Sequence, residues 1–432
     1  MTPYIPVIFV LVLMFLGVPV ATSMLAASIL YFGFLTDGYQ LTNMIQTLVT
    51  QIMGLGKMAG AYFVIAGVMM NYGKITERLI NFCDALVGHK QGALAQVNVI
   101  LSTLNGGVCS SASADAALEC KILVPEMTKH GYPLPFSTAV TAASSLIAPI
   151  IPPGGSLINY AILAEVSIGQ MFFAGYIPGT MLCIAQMIVV AIYAKKYHWK
   201  STRDRRATFK EILFSLKEAI WSLIMPLTMI LGIRSGWFTP TEGGLVMIVL
   251  STIVAVFLHK TVKIKQIPGM LKEATYSFGG IMLLIVTSLL FGNYLNWERI
   301  PQNLTAMLMK VTTSPTMFMI FVNILLLILG MFVEGTPMLL IMTPLLAPMA
   351  ELYGVNMVAF GIIIIINIAM GSLTPPFGGM MYITCGITGC SIPSFLKYSW
   401  SFLLSMGVVL IILIIFPQII TFIPNMVYGL GG

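Results

Sequence analysis

Charged side chains are scarce in this sequence of 432 residues. Asp, Glu, Lys and Arg make up 9% of the chain, whereas hydrophobic residues make up 58%. A soluble domain carries about 25% charged residues, so this composition excludes a soluble globular protein. Side chains that face lipid must be apolar, and the composition therefore predicts a polytopic membrane protein.

Motifs for enzymatic chemistry are also missing. The sequence contains no GxxxxGK[ST] phosphate-binding loop, no HExxH and no GxSxG. The six cysteines form no CxxC pair and the four histidines have no metal-ligand spacing. We therefore expect no disulfide, no transition-metal site and no enzymatic activity.

The basic residues cluster in polar segments between apolar runs. Lys and Arg outnumber Asp and Glu by 22 to 15, and eight of these bases lie in 195–217. The positive-inside rule places such a loop in the cytoplasm. We expect its partner to be the lipid bilayer and not a nucleic acid. The loop also predicts a division of the chain into a first half, 1–194, and a second half, 218–432.

Apolar runs suited to spanning a bilayer recur along the chain. They are 4–35, 58–72, 92–108, 134–151, 170–194, 218–234, 243–258, 275–296, 316–333, 355–373 and 396–424. The first run is too long for the core of a signal peptide and has no basic leader, so we interpret it as a retained span. The pattern predicts an all-α multi-pass fold.

An internal repeat relates the two halves. At an offset of 223 residues, prolines and glycines of the first half fall on identical residues of the second: Pro125 on Pro348, Gly131 on Gly354, Pro152 on Pro375 and Pro153 on Pro376. After one inserted residue, Phe377, the next two glycines match at an offset of 224. Such repeats are typical of secondary transporters.

Four segments, two in each repeat, place polar or irregular backbone in apolar surroundings. The segments 105–115 and 330–337 each combine small residues with an acid, Asp115 or Glu334. The segments 151–156 and 373–379 each contain a Pro-Pro pair followed by glycines, which breaks a helix. A broken helix offers carbonyls to Na⁺ and an N-terminus to a carboxylate.

Plainer interpretations exist for these segments. Small residues in 105–115 also favour close helix packing, and 151–156 is compatible with a simple loop turn. An intramembrane aspartyl dyad lacks its second Asp, because Met338 stands at the position equivalent to Asp115. The main functional alternative is a cation/proton antiporter in which Asp115 and Glu334 titrate.

The four segments and their surroundings resemble the large membrane (M) subunit of tripartite ATP-independent periplasmic (TRAP) transporters. The resemblance covers nearly the whole chain, in order. It is carried by YFVIAGVMMNYGKITERL (62–79), GALAQVNVILSTLNGGVCSSASADAA (92–117), PEMTKHGYPLPFSTAVTAASSLIAPIIPPG (125–154), TPMLLIMTPLLAPMAELYGV (336–355) and GSLTPPFG (371–378).

The resemblance implies a sodium-driven elevator transporter of the bacterial inner membrane, with a fixed scaffold and a moving domain that holds two hairpins. It implies two protein partners, a separate four-span small membrane (Q) subunit and a soluble periplasmic substrate-binding (P) protein. The implied substrates are small organic acids: C4-dicarboxylates, sialic acid or other sugar and keto acids.

By position, the resemblance also implies the binding residues, with Na⁺ as the coupling ion and no organic cofactor. Sodium is expected at Asn105, Gly106, Ser110, Ser113, Asp115, Pro152, Gly154, Gly330, Glu334, Thr336, Thr374 and Gly378, and the substrate at Ser111, Gly155, Ser156, Pro376 and Gly379. The first hairpin tip departs from the family's usual Ser-Gly-Ser, because Cys109-Ser110-Ser111-Ala112-Ser113 has no Gly. This departure leaves the backbone ligand at that tip undefined.

Overall fold

The computed structural model describes residues 4–36, 41–53, 59–73, 75–107 and 111–429, in which helices are joined by turns and short loops. Its helices are α1 Ile5–Phe15, α2 Val20–Leu30, α3 Leu41–Met53, α4 Ala59–Tyr72, α5 Ile75–Val87, α6 Ala93–Asn105, α7 Ala112–Lys129, α8 Leu134–Ser145, α9 Gly155–Leu163, α10 Ile168–Tyr197, α11 Phe209–Arg234, α12 Pro240–Ile253, α13 Ile267–Trp297, α14 Ile300–Met309, α15 Pro315–Gly330, α16 Gly335–Leu352, α17 Met357–Gly371, α18 Gly379–Thr388, α19 Ile392–Ile415 and α20 Gln418–Tyr428. Short π segments, Tyr31–Leu35 and Val254–Leu258, extend α2 and α12. A 3₁₀ turn, Ile264–Gln266, precedes α13. These ranges contain no strand, which confirms the predicted all-α fold.

Six of the described helices are long and apolar enough to cross a membrane: α10, α11, α12 with its extension, α13, α16 and α19. The last predicted span, 396–424, is wrong as a single helix. α19 ends at Ile415 and α20 begins at Gln418. Pro417 separates them because proline has no N–H with which to continue the helix.

The predicted N-terminal span, 4–35, is also two helices. α1 ends at Phe15 and α2 begins at Val20. Between them Gly17 has a φ of +83°, in the left-handed region that favours glycine. Pro19 then caps α2. The two helices pack against each other, so the chain turns back where a continuous span was predicted.

The two repeats have matching helix boundaries. α7 and α16 begin 223 residues apart, at Ala112 and Gly335, and α8 and α17 keep the same offset. The starts of α9 and α18, at Gly155 and Gly379, are 224 residues apart. The repeat found in the sequence is therefore present in the fold, and the inserted residue lies between the Pro-Pro pair and the glycines.

Helices of one repeat pack against helices of the other. α7 packs against α18, and α16 packs in the same way against α9. α8 likewise contacts α19, and α17 contacts α10. The hydrophobic core cluster that includes Tyr160 and Phe360 therefore contains residues from both halves. The division into 1–194 and 218–432 stays a prediction. Between the halves, α10 runs to Tyr197 and α11 begins at Phe209, after a capping box formed by Thr208 and Glu211.

Two helical hairpins are formed by α6 with α7 and by α15 with α16, since the helices of each pair pack together. Each hairpin tip meets the broken helix of its own repeat. A Cβ at Gly106 would lie 2.6 Å from Cβ of Ile151. In the second repeat, the Phe377 N–H donates to the Met331 carbonyl over 3.1 Å. The hairpins and breaks expected from the sequence are therefore paired within each repeat.

Candidate substrate and ion site

A cavity of about 410 Å³ lies where the two repeats meet. The first turns of four helices contribute to its lining: Ser111, Ala112 and Ser113 at α7, Gly155 and Ser156 at α9, Glu334, Gly335, Thr336 and Pro337 at α16, and Gly379 and Met380 at α18. None of the lining residues that the structure describes is Lys, Arg or His.

Four helix N-termini at one cavity favour an anion. The first turn of a helix has N–H groups without an intrahelical partner and carries a partial positive charge of about half a unit. Such N-termini bind carboxylates and phosphates. The helix N-termini therefore contribute positive potential at the cavity, whereas Glu334 is the one acidic side chain of its described lining.

The break between α8 and α9 explains how one of these N-termini reaches the cavity. A Cβ at Gly154 would lie 2.1 Å from the carbonyl oxygen of Pro149, so any larger residue would force the backbone apart. The break between α17 and α18 is similar, with a Cβ at Gly378 lying 2.7 Å from the Ser372 carbonyl. Prolines end the first helix, and a glycine lets the next begin close beside it.

Four of the five residues expected to bind substrate line the cavity. They are Ser111, Gly155, Ser156 and Gly379. The fifth, Pro376, is not among the lining residues. It lies in the turn before α18, where its carbonyl accepts a 3.4 Å hydrogen bond from the hydroxyl of Tyr382.

The residues expected to bind sodium fall into three sets. Ser113, Glu334 and Thr336 line the cavity. Asn105, Gly106, Asp115, Pro152, Gly154, Gly330, Thr374 and Gly378 are not cavity-lining and lie in the hairpins and breaks. Ser110 lies outside the described residues. The structure thus places three of the residues expected to bind sodium at the cavity and eight others outside its lining.

Asp115 of the first repeat is buried and does not line the cavity. It is 1% exposed, and its Oδ1 accepts a 2.8 Å hydrogen bond from Nδ2 of Asn105, which is itself buried. The other carboxylate oxygen, Oδ2, has no hydrogen-bond partner. No ion pair among the described residues includes Asp115. A buried carboxylate oxygen without a partner is costly unless a cation or a proton compensates it.

Glu119 was not identified from the sequence, although it follows Asp115 by one helical turn on the same face of α7. It is 1% exposed, and its Oε2 accepts a 2.9 Å hydrogen bond from Oγ of Ser102. Its Oε1 has no partner. Ser102 Oγ also lies 3.0 Å from Oγ of Ser144, whose hydroxyl donates over 2.7 Å to Asn98 Oδ1. Two acids and several neutral oxygens therefore meet between α6, α7 and α8.

Comparison with known proteins identifies the family. The chain matches the model of the "Tripartite ATP-independent periplasmic transporter, DctM component" family over residues 7–419. The chain belongs to this family. The prediction of a TRAP large membrane subunit is thereby confirmed, and with it a multi-pass membrane protein.

Curated relatives resemble this TRAP permease over most of their length. It is 33% identical to the sialic acid TRAP transporter large permease protein SiaM of Vibrio cholerae, with 97% of each chain covered. It is also 33% identical to the sialic acid TRAP transporter permease protein SiaT of Haemophilus influenzae, covering 98% of this chain and 68% of the relative. The C4-dicarboxylate TRAP transporter large permease protein DctM of Pseudomonas aeruginosa is 32% identical, with coverage of 84% and 85%.

A solved structure supports the fold of the permease. The YdaH transporter of Alcanivorax borkumensis superposes with a TM-score of 0.66 at 15% identity, covering 96% of this chain and 99% of the other. At this identity the similarity concerns the fold alone. It agrees with the all-α polytopic architecture predicted from the sequence.

Proposed function

We propose that this TRAP permease imports small organic-acid anions together with Na⁺ across a bacterial inner membrane. The observation that carries the proposal is the convergence of four helix N-termini on one cavity whose described lining has no basic side chain. The N–H groups bind the carboxylate of the substrate. Glu334 adds negative charge to the lining, and bound Na⁺ supplies the positive charge that balances it.

Sodium binds where each hairpin tip meets the break of its own repeat. Alkali cations prefer oxygen ligands, and broken helices supply carbonyls for them. Asp115 and Asn105 add side-chain oxygens in the first repeat, whereas Thr336 and Thr374 add hydroxyls in the second. Sodium at these places fixes the hairpin tips and thereby completes the anion site.

Transport proceeds by an elevator movement. Helices α4 and α13 pack together and contribute one wall of the cavity, and neither belongs to a hairpin or a break. The hairpins and broken helices contribute the helix N-termini. In the proposed movement the second group slides along the first and carries the anion and Na⁺ with it.

Two protein partners complete the proposed transporter, a separate four-span Q subunit and a periplasmic P protein that delivers the substrate. The name "large permease protein" given to SiaM and DctM supports a separate small subunit. The relatives' substrates, sialic acid and C4-dicarboxylates, support a small organic acid as the cargo.

Uptake into proteoliposomes tests this function. The permease and its small subunit are reconstituted and offered labelled organic acids, each with its binding protein, with and without an inward Na⁺ gradient. We expect accumulation only when both the binding protein and the Na⁺ gradient are present. Accumulation that is indifferent to Na⁺ would refute sodium coupling, and accumulation without a binding protein would refute the tripartite assembly.

A cation/proton antiporter is the second candidate function. It is favoured by the buried acids Asp115 and Glu119, which have no basic partner among the described residues. In an antiporter these acids exchange a proton for a cation, so a pH gradient alone would drive Na⁺ flux. Asp115→Asn and Glu334→Gln would then abolish pH-dependent exchange without any requirement for an organic acid.

A further inference from the structure

One wall of the cavity comes from α4 and α13, two helices outside the hairpins and the broken helices. α4 supplies Gly60, Phe63 and Val64, and α13 supplies Ser277, Gly280, Ile281 and Leu284. The spacing of three and four residues places each set on one face of its helix. Since α4 and α13 pack together, we call these seven residues the fixed wall.

Gly280 leaves part of the fixed wall empty. A Cβ built at this position meets no heavy atom within 4 Å, so packing does not demand a glycine here. Glycine inside a helix is unfavourable relative to alanine. The open space beside Gly280 is therefore available to a bound molecule.

Ser277 is the one polar side chain of the fixed wall. It precedes Gly280 by three residues, so both lie on the cavity face of α13. Hydroxyls of Ser can donate and accept hydrogen bonds. A molecule whose carboxylate lies at the helix N-termini can thus place a hydroxyl-bearing body against Ser277 and fill the space at Gly280.

We propose that Gly280 sets the upper size of the organic acid that the cavity accepts, and that Ser277 contacts a hydroxyl of that acid. This inference rests on the proposed function and names its substrate class. The acid carries one carboxylate for the helix N-termini and a bulky, hydroxylated body, as a sugar acid does. Short acids reach the helix N-termini without touching Gly280.

Gly280→Leu tests the size limit, and Gly279→Leu is the matched control. Gly279 precedes Gly280 in the same helix, and a Cβ there also meets no atom within 4 Å, but Gly279 does not line the cavity. Both variants make the same change in helix propensity. Uptake is measured in proteoliposomes with succinate, a six-carbon sugar acid and sialic acid, each with its binding protein.

We expect Gly280→Leu to lower uptake of the largest acid that the wild type carries by roughly tenfold relative to succinate, the effect of about 1.4 kcal/mol. Gly279→Leu leaves that ratio unchanged. Ser277→Ala raises the KM for hydroxylated acids and not that for succinate. Equal effects of the two leucine variants, wild-type uptake of the largest acid by Gly280→Leu, or a wild type that carries succinate but neither larger acid, would overturn the proposal.

Thiol labelling measures the size of the open space at position 280 without requiring transport. Gly280→Cys and Gly279→Cys are treated with hydrophilic thiol reagents of increasing size, and labelling of the wild type is subtracted. We expect labelling up to a size limit at position 280, which lines the cavity, and little labelling by any of these hydrophilic reagents at position 279, which lies on a candidate membrane-spanning helix outside the cavity. A wild type that accumulates no acid would refute the proposed function, whereas the absence of a size limit at position 280 would refute this inference.

Discussion

The two repeats have the same helix boundaries but carry different polar groups in their interiors. In the first repeat, Asp115 and Glu119 are buried on α7 and accept hydrogen bonds from Asn105 and Ser102. At the equivalent positions of α16 the second repeat has methionines that are also buried. The first repeat thus places acids where the second places apolar side chains.

The second repeat uses a neutral contact in its interior. Asn367, the counterpart of Ser144, donates from Nδ2 to Oδ1 of Asn323 over 2.8 Å, and both residues are buried. An amide pair needs no counter-ion, whereas buried carboxylates do. The shared breaks are consistent with the symmetric anion site proposed above. The unshared acids predict that, of the two proposed sodium sites, the one in the first repeat binds Na⁺ more tightly.

The largest effect is expected from changing the break itself. Gly154→Ala forces a Cβ against the Pro149 carbonyl at 2.1 Å, which displaces the start of α9, so uptake falls by roughly a hundredfold. Gly378→Ala places its Cβ 2.7 Å from the Ser372 carbonyl oxygen. This contact is less severe, so we expect a smaller loss of uptake. Gly386→Ala in α18, where a Cβ meets nothing within 4 Å, is the control. Similar uptake by all three variants would contradict the role of the breaks.

Removing the charge of Asp115 is expected to have the next largest effect. Asp115→Asn keeps the shape but removes the charge from the first repeat, so the Na⁺ concentration for half-maximal uptake rises by roughly tenfold. Glu119→Gln has a smaller effect in the same direction, because its amide oxygen still accepts from Ser102. The measurement is uptake against Na⁺ concentration. An unchanged sodium dependence in Asp115→Asn would show that this acid is not a ligand.

Breaking the amide pair of the second repeat is expected to reduce stability and not sodium affinity. Asn367→Ala leaves buried groups of Asn323 without their partner and costs about 1 to 3 kcal/mol in the free energy of unfolding. Thermal unfolding of the purified protein measures this loss. The exposed Asn303 of α14 provides the control Asn303→Ala. A shift in sodium dependence with Asn367→Ala would show that this neutral pair also contributes to sodium binding, which would contradict the expected difference between the two repeats.

The smallest effect is expected from a surface acid of the same helix as Asp115. Glu126 lies 3.3 Å from Nζ of Lys129, with both side chains substantially exposed. Such pairs contribute about 0 to 1 kcal/mol. Glu126→Gln should leave both uptake and sodium dependence unchanged, which makes it the charge-removal control for Asp115→Asn. A change in sodium dependence as large as that of Asp115→Asn would show that the overall charge of α7, and not a contact of Asp115 with Na⁺, causes the effect.

Much of the fold could be predicted from the positions of prolines and glycines in the sequence. The Pro-Pro pairs and following glycines predicted the repeat, the breaks and the starts of α9 and α18 at the cavity, because these residues restrict the backbone directly. Gly17 and Pro19 also indicate a turn between α1 and α2, but the apolar residues on both sides of them favour a single span over 4–35.

Side-chain partners were harder to predict from the sequence. Glu119 lies between a cysteine and an apolar residue in 118–120, and nothing local shows that α6 and α8 enclose it. The amide pair of Asn323 and Asn367 joins residues 44 positions apart. The sequence near Gly280 does not show that this residue lines the cavity, because its position depends on how α4 and α13 pack. Such contacts depend on the packing of distant segments.

Binding of a labelled organic acid to the purified permease shows whether helix N-termini and Na⁺ together hold the anion. The measurement is made at equal ionic strength in NaCl and in KCl, with the acid delivered by its binding protein. We expect saturable binding in NaCl and none in KCl. Equal binding in the two salts would show that the helix N-termini hold the anion without sodium, and would contradict this expectation.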